Sequence, residues 1–239
     1  MVKPYQNQEG SKKVQVEQMF DSISTEYDRL NRVISFGIDL KWRKRVIKMV
    51  SQLAPDQVLD VATGTGDLVL AMQHCGASKI VGLDLSPGML AVGVNKVKQA
   101  GAESLIEMVI GDSENLTFKD ETFDVITVAF GIRNFENLNK GLSEILRVLK
   151  KGGTLIILET SVPKYIPFKQ IYLLHSNFIL PLVGKLFSKN QSAYRYLGNS
   201  AQQFPYGEAL NNILRKIGFK NAKAIPQTFG VATIYSAIK

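Results

Sequence analysis

The sequence predicts an α/β protein with a Rossmann-like, doubly wound and mostly parallel seven-stranded sheet, N-terminal helices and a helical cap insertion. Three observations carry this prediction. The chain has 239 residues, of which 45% are hydrophobic, enough for a sizeable core. Short apolar runs alternate with helical stretches between positions 57 and 160, and a glycine-rich turn directly follows the first run. We therefore expect a single domain over 1–239.

The first segment, 14–54, predicts N-terminal helices. Apolar residues recur at helical spacing from Val16 to Leu30. A second amphipathic helix carries Trp42 and Val46 on one face and ends before Pro55. Its other side carries a basic cluster: Lys41, Arg43, Lys44, Arg45 and Lys48.

The second segment, 57–160, predicts the core that binds a cofactor. Helices are expected between its strands at 67–75, from Pro87 to near Gly101, and at about 137–150. Strands that alternate with helices pair in parallel, and helices cover both faces of the sheet. The strands are predicted at 57–62, 78–86, 105–112, 123–131 and 154–160.

The last two segments interrupt and then resume this alternation. Residues 161–205 contain several prolines and many aromatic residues, which predicts a helical cap that forms the substrate region. The final segment, 206–239, predicts a helix at 207–217 and two strands at about 220–227 and 230–238. Because these strands are close in sequence, we expect them to pair antiparallel.

Composition excludes several classes of protein. The single cysteine, Cys75, excludes a disulfide framework, and with only His74 and His175 beside it we expect no metal site. The N-terminus lacks the apolar stretch of a secretory signal, and the apolar region 170–187 is too interrupted for a membrane span. We therefore expect a cytoplasmic protein. The net charge of +8 favours an anionic partner: nucleic acid, an acidic ligand or a membrane surface.

Polar residues follow three successive predicted strands at the ends where α/β proteins bind ligands. A dinucleotide fingerprint needs a third glycine, but the turn at 64–69 has only two and places an acid at the start of the next helix. No phosphate-binding P-loop motif is present either. These strand-end residues are Asp60, Gly64, Thr65, Gly66, Asp84, Asp112 and Ser113.

Three carboxylates with no nearby cation suit a ligand that has hydroxyls, amino groups and a positive charge. S-adenosylmethionine has these groups. Asp84 is expected to accept both ribose hydroxyls, Asp112 the adenine amine, and the Ser113 amide to donate to a ring nitrogen. Asp60 is expected to orient the glycine turn or meet the amino group, and Thr65 to contact the methionine part. The alternative is that Asp60 and Asp84 are only strand-end turn residues.

Two longer motifs resemble the quinone-biosynthesis C-methyltransferase family of class I S-adenosylmethionine-dependent enzymes. They are YDRLNRVISFGIDLKW at 27–42 and RVLKKGGTLIILETS at 147–161. FGIRN at 130–134 and YRYL at 194–197 are also similar to the family pattern. The family includes demethylmenaquinone methyltransferase and its ubiquinone-pathway relatives. The resemblance extends over roughly 14–239.

The chain departs from the family pattern at a few positions. Leu30 stands where methionine is usual, Asp39 where histidine is usual, and Lys151 where proline or valine is usual. Ala62 occupies the place of the first glycine of the general methyltransferase motif. The change at Asp39 argues against any role assigned to a histidine there.

The resemblance implies methylation of a ring carbon of a polyprenylated quinol, with demethylmenaquinol as the expected acceptor and a ubiquinone-pathway benzoquinol as the alternative. Arg133 is expected to stabilise the developing oxyanion, with Asn134 beside it; the alternative for Arg133 is a structural ion pair. His175 is either a substrate contact or a packed core residue. The remaining expected substrate contacts, with helix-end or surface roles as their alternatives, are Tyr27, Tyr194 and Arg195.

The cap and the basic cluster suggest where the substrate comes from. An apolar cap is suited to enclosing an isoprenoid tail, although helix packing or a homodimer contact explains its composition equally well. The basic cluster predicts peripheral contact with a membrane surface, or simply a solvated helix face. Two other functions stay open: methylation of another small acceptor, such as a sterol or phenol, and RNA methylation. No RNA-reading motif supports the last, so we expect no nucleic-acid partner.

Overall fold

The computed structural model describes residues 2–5, 8–179 and 190–239. Its centre is a seven-stranded sheet in the order β3-β2-β1-β4-β5-β7-β6. All neighbouring strands pair in parallel except β7, which runs antiparallel to both β5 and β6. The strands are β1 Gln57–Val61, β2 Lys79–Asp84, β3 Ile106–Ile110, β4 Phe123–Ala129, β5 Leu149–Thr160, β6 Lys220–Gln227 and β7 Ala232–Ile238.

Helices cover both faces of the sheet, which confirms the predicted fold class. Buried side chains form one apolar cluster on each face, and a third cluster joins the N-terminal helices to a helix of the cap. The helices are α1 Lys12–Ile23, α2 Tyr27–Ser35, α3 Ile38–Gln52, α4 Asp67–Ala71, α5 Pro87–Gln99, α6 Leu138–Val148, α7 Phe168–Leu174, α8 Gln191–Gln203 and α9 Glu208–Ile217.

The helical spacing from Val16 to Leu30 belongs to two helices. The backbone N–H and the hydroxyl of Ser24 both bond to the carbonyl of Asp21, which ends α1 in a turn. The chain then restarts as α2 at Tyr27. The predicted boundaries at the fifth strand were also wrong, since α6 ends at Val148 and β5 begins at once with Leu149 paired to Phe123.

The cap contains α7, a π-helical turn at His175–Ile179 and α8. Positions 180–189 of the predicted insertion lie outside the described residues. The antiparallel pairing predicted for the last two strands is present, with Ala224 opposite Tyr235. In the described ranges, no helix is long and apolar enough to cross a bilayer.

Candidate active site

A crevice opens at the carboxyl ends of β1, β2 and β3, as expected for a parallel sheet. The turn after β1 supplies Gly64, whose φ of +59° is unfavourable for residues with a side chain. A side chain there would have no atom within 4 Å, so the backbone of this glycine faces open space. The crevice is also lined by residues of the next two strand ends, including Asp84, Gly111, Asp112 and Ser113.

Asp84 is held in place by the backbone of the crevice. One carboxylate oxygen accepts the Gly64 amide at 2.7 Å and the other accepts the Ser86 amide at 2.9 Å. A carboxylate has about four lone-pair sites, so about two stay available to a pair of hydroxyls. Burial raises the pKa of Asp84, and the amide hydrogen bonds act against that rise. This arrangement fits a ribose diol.

The crevice contains a cation that the sequence analysis excluded. Lys13 of α1 lies 2.6 Å from Asp112, and the two groups form an ion pair. Helix α1 covers the crevice, where Val16 and Phe20 form part of the wall. The expectation of three carboxylates without a nearby cation was therefore wrong, because the N-terminal helix packs over the strand ends.

Three of the predicted cofactor contacts lie beneath the crevice wall. Asp60 is buried and accepts the Thr127 hydroxyl at 2.5 Å, and burial raises its pKa to about 6. The hydroxyl of Thr65 donates to Asp28 of α2 at 2.6 Å, which corrects its expected contact with the methionine part. Gly66 packs against Met108. These residues support the shape of the glycine turn.

A second, mainly apolar cavity of about 390 Å³ lies beside the crevice. Its wall comes from α2, α3, α7 and α8, and from the turn at 228–231. Tyr27 and Phe130 line both cavities. The two spaces therefore meet at these two side chains.

The loop after β4 adopts a backbone conformation that brings Phe130 to this junction. Phe130 has a φ of +59°, and Ala62 in the facing turn has a φ of +55°. A side chain on Gly131 would place its Cβ 2.4 Å from the Cβ of Ala62, so only glycine fits there. Asn134 also lines the crevice and accepts the Tyr196 hydroxyl at 3.1 Å. The FGIRN motif thus fixes the boundary between the cavities.

Arg133 lies in the wall of the second cavity. Its Nη1 donates to Glu159 at 2.8 Å and to the carbonyl of Phe130 at 2.6 Å. Burial is the largest single influence and acts to lower the pKa of Arg133. The charge and hydrogen bond of Glu159, together with Tyr27 and Tyr196, outweigh burial, so the pKa of Arg133 is raised. The structure therefore contains the structural ion pair that was the alternative role of Arg133, and the residue also lines the cavity.

The three predicted substrate contacts of the cap have different positions. His175 lines the second cavity, and its Nε2 lies 3.0 Å from the carbonyl of Ile34. Tyr194 is buried against α1 with Met19, and Arg195 is exposed. Neither residue lines the crevice or the second cavity, because α8 turns Leu197 toward the second cavity instead. The expectation that Tyr194 and Arg195 line the quinol pocket is thus corrected.

Two residues of the site were overlooked at the level of sequence. Glu159 belongs to a quoted motif, and its position at the end of β5, next to the end of β4, is the signal that pairs it with Arg133. Arg43 was placed in the basic cluster on the outer side of α3. It points inward, lines the second cavity and lies 5.5 Å from the centre of the Phe130 ring.

Comparison with known proteins identifies the family. The model of the ubiE/COQ5 methyltransferase family matches residues 7–239. A demethylmenaquinone methyltransferase of Bacteroides fragilis is 47% identical, over 100% of this chain and 97% of that protein. The chain belongs to the ubiE/COQ5 methyltransferase family. The C-methyltransferase UbiE of Geobacter sulfurreducens, named for ubiquinone and menaquinone biosynthesis, is 44% identical over 94% of this chain and 88% of its own length.

Solved structures agree in fold. The cyclase SpnF superimposes with a TM-score of 0.66 at 18% identity, covering 95% of this chain and 96% of its own. An S-adenosylmethionine-dependent methyltransferase of Thermotoga maritima superimposes with a TM-score of 0.59 at 19% identity. The match covers 93% of this chain and 99% of that one. Two predictions are thereby confirmed: the family, and the enzyme class of S-adenosylmethionine-dependent methyltransferases. The crevice fits this methyl donor through Asp84 and the open face of Gly64.

Proposed function

We propose that the protein methylates a ring carbon of demethylmenaquinol to give menaquinol. The observation that carries this proposal is the junction at Tyr27 and Phe130, where a polar crevice meets an apolar cavity of about 390 Å³. A cavity of this size and composition suits a bicyclic ring with an apolar tail. The family and its relatives, which are named for demethylmenaquinone and ubiquinone methylation, support the choice of acceptor.

The residues of the chain align and desolvate the reactants. When bound, S-adenosylmethionine supplies an activated methyl group on a sulfonium. Asp84 and Asp112 hold the donor's nucleoside, and Ser113 lies beside Asp112. Tyr27 and Phe130 exclude water from the meeting point, which favours a step in which charge is neutralised. Arg133 and Asn134 belong to the loop between the cavities, with Arg133 in the wall of the apolar cavity and Asn134 in the wall of the crevice.

The chemistry requires a ring carbon with enough electron density. Loss of a hydroxyl proton from the quinol pushes electron density from the oxygen into the ring. The ring carbon then forms the bond to the methyl carbon while the methyl–sulfur bond breaks, and the electron pair of that bond stays on sulfur. Loss of the proton from the methylated carbon restores the aromatic ring as an oxyanion. That oxygen then takes up one proton to give menaquinol, so each turnover releases one proton in total to water. Arg133, in the cavity wall, favours the oxyanion by its positive charge.

Mass spectrometry with purified protein tests the acceptor. We expect demethylmenaquinol to gain one methyl group in the presence of S-adenosylmethionine, with a benzoquinol of the ubiquinone pathway and a simple phenol tested in parallel. Methylation of the benzoquinol alone would move the assignment to the ubiquinone pathway. Methylation of the phenol alone would leave a methyltransferase with a different acceptor. Deleting the protein from its cell and finding no demethylmenaquinone would contradict the proposal.

We also propose that the mouth of the apolar cavity contacts the surface of an anionic membrane. Three residues that line the cavity are strongly exposed: Phe36 at 74%, Ile171 at 60% and Phe229 at 68%. Phe229 stacks on Phe168 with 3.9 Å between ring centroids. Exposed apolar groups of this kind insert into lipid, and nearby lysines add about 1 kcal/mol each at an anionic surface. Lys41 and Lys169 are exposed on the helices that border the mouth.

Sedimentation with vesicles tests this contact. We expect binding to vesicles that contain phosphatidylglycerol, and a loss on replacing both Phe36 and Ile171 by glutamate. Val94→Glu is the matched control, because Val94 is 47% exposed on α5 and lines neither cavity. Equal vesicle binding by the double variant and the control would contradict the proposed surface.

A further inference from the structure

We infer that Arg43 binds a ring oxygen of the quinol as its oxyanion, and that Asp39 positions Arg43 for this contact. This inference rests on the proposed function, since it assigns a partner to the acceptor in the apolar cavity. It adds a second guanidinium to the wall that already contains Arg133.

Arg43 is a partly buried cation with free hydrogen-bond donors. Its side chain is 13% exposed and lines the apolar cavity. Its Nε is buried without a hydrogen-bond partner, and no hydrogen bond joins its guanidinium to any of the residues that the structure describes. Donors left unsatisfied in an apolar wall are costly unless a ligand uses them. The guanidinium therefore has donors available for an oxyanion inside the cavity.

The position of Arg43 is set by the junction between the cavities. Its guanidinium carbon lies 5.5 Å from the centre of the Phe130 ring, within the range of a cation–π contact. Phe130 and Tyr27 are the side chains shared by the two cavities. Burial raises the pKa of Tyr27, and the charges of both Arg133 and Arg43 act against that rise. Both guanidiniums thus act on the point where the methyl group is transferred.

Asp39 provides the support for Arg43. The Asp39 carboxylate lies 3.5 Å from Nε of Arg43, one turn along α3. It is fixed more tightly by two other groups, an ion pair with Arg32 and the Ser35 hydroxyl at 2.7 Å. Arg32 in turn contacts Asp67 at 2.5 Å, at the start of α4. Arg32 and Ser35 hold the Asp39 carboxylate in a fixed position, so Asp39 can orient Arg43 through Nε. The outer nitrogens of the Arg43 guanidinium stay free, because Asp39 contacts only Nε.

The two arginines differ in how far their charge is already used. Arg133 donates two hydrogen bonds, one of them to Glu159, at 2.8 Å or less. Among the described residues, Arg43 has the longer contact with Asp39 and the contact with the Phe130 ring, but no hydrogen bond. A quinol offers two oxygens across its ring, so two guanidiniums in one wall are not redundant. Arg43 has the greater remaining capacity to hold a negative oxygen.

Two naphthoquinones that differ in charge provide the test. The probe 2-hydroxy-1,4-naphthoquinone is a coloured anion at neutral pH, and 2-methyl-1,4-naphthoquinone is neutral with nearly the same shape. For Arg43→Met we expect the Kd of the anion to rise about 10- to 100-fold, the range of a charged hydrogen bond, and that of the neutral probe to stay unchanged. Arg43→Lys should restore part of the preference, because lysine keeps the charge but loses the planar fork. Asp39→Asn should give a smaller loss for the anion alone.

The controls separate the possible failures. Arg45→Met removes the same kind of charge from the same helix, where Arg45 is exposed, and should change neither Kd. Calorimetric binding of S-adenosylmethionine checks that each variant is folded. If Arg43→Met does not fold, Arg43→Gln takes its place. An equal loss for both probes on Arg43→Met, or no loss for either, overturns the role of Arg43. If the wild-type protein binds neither probe, the proposed quinol cavity fails together with this inference.

Discussion

The cofactor crevice and the apolar cavity meet at two side chains but are built in different ways. The crevice takes its polar groups from the ends of neighbouring parallel strands, and backbone amides hold its central carboxylate, Asp84. The cavity takes its wall from helices that are far apart in the chain, with charges held in side-chain pairs such as Arg133–Glu159. A site at strand ends follows from sheet topology, whereas a site between helices depends on packing.

The difference predicts that each cavity can be disabled alone. Asp84→Ala should weaken S-adenosylmethionine binding about 100-fold or more, because two hydrogen bonds from ribose hydroxyls to a charged group are lost. Isothermal calorimetry measures this change, and binding of a neutral naphthoquinone should be unaffected.

The matched control for this variant is Asp124→Ala. Asp124 also accepts two backbone amides, those of Asp56 and Gln57 at 3.2 and 2.8 Å, but at the opposite ends of the strands. It should leave the affinity for S-adenosylmethionine intact. Wild-type affinity in Asp84→Ala, or the same loss in both variants, would contradict the assignment of the crevice.

The reverse experiment fills the second cavity. Ala201 of α8 lines it, and Ala201→Trp places an indole in the space expected for the quinol. We expect quinone binding to weaken about 10- to 100-fold, since overpacking an occupied site costs about 1–3 kcal/mol. Binding of S-adenosylmethionine should stay unchanged. Loss of both ligands in a folded variant would show that the two cavities are not independent.

The same difference explains how much of the site the sequence predicted. Asp84, Asp112 and Ser113 were placed at the crevice because parallel strands bring their carboxyl ends to one edge. Strand identity was sufficient for that prediction, and no helix position was needed. The family motifs FGIRN at 130–134 and RVLKKGGTLIILETS at 147–161 likewise identified the chain segments at the ends of β4 and β5.

Contacts between layers were beyond the reach of sequence patterns. The pairing of Lys13 with Asp112 depends on how α1 lies across the sheet, and so does the contact of Asp28 with Thr65. Arg43 sits within a basic run on an amphipathic helix, where a period of 3.6 residues leaves a position at the edge of the apolar face ambiguous. Arg43 is oriented inward by its contacts with Asp39 and with the Phe130 ring. The contact with Phe130 forms only in the folded chain, so the helical pattern does not predict it.

The buried carboxylate below the crevice makes stability depend on pH. Burial raises the pKa of Asp60 to about 6 from 3.8, so the folded state binds a proton that the unfolded state releases between about pH 4 and pH 6. Stability contributed by this group therefore falls as pH rises through that window. Asp60→Asn, which keeps an acceptor for Thr127, should raise the free energy of unfolding by about 3 kcal/mol at pH 7. Urea unfolding at pH 4 and pH 7 measures it, and an equal gain at both values would contradict the titration of Asp60.

The smallest predicted effect concerns the backbone of the crevice. This backbone is strained in the turn after β1, whereas the wall of the apolar cavity is mainly helical. Ala62 has a φ of +55°, a conformation that costs an L-residue about 1–2 kcal/mol, while glycine adds entropy to the unfolded chain. We expect Ala62→Gly to raise the free energy of unfolding by about 0.5–1 kcal/mol. Ala91→Gly, in the middle of α5, should lower it by a similar amount because its backbone is helical. Thermal unfolding of the pair compares the signs directly. Destabilisation by both changes would mean that the turn after β1 gains nothing from glycine, and that the methyl group of Ala62 contributes packing against Gly131 that outweighs its strain.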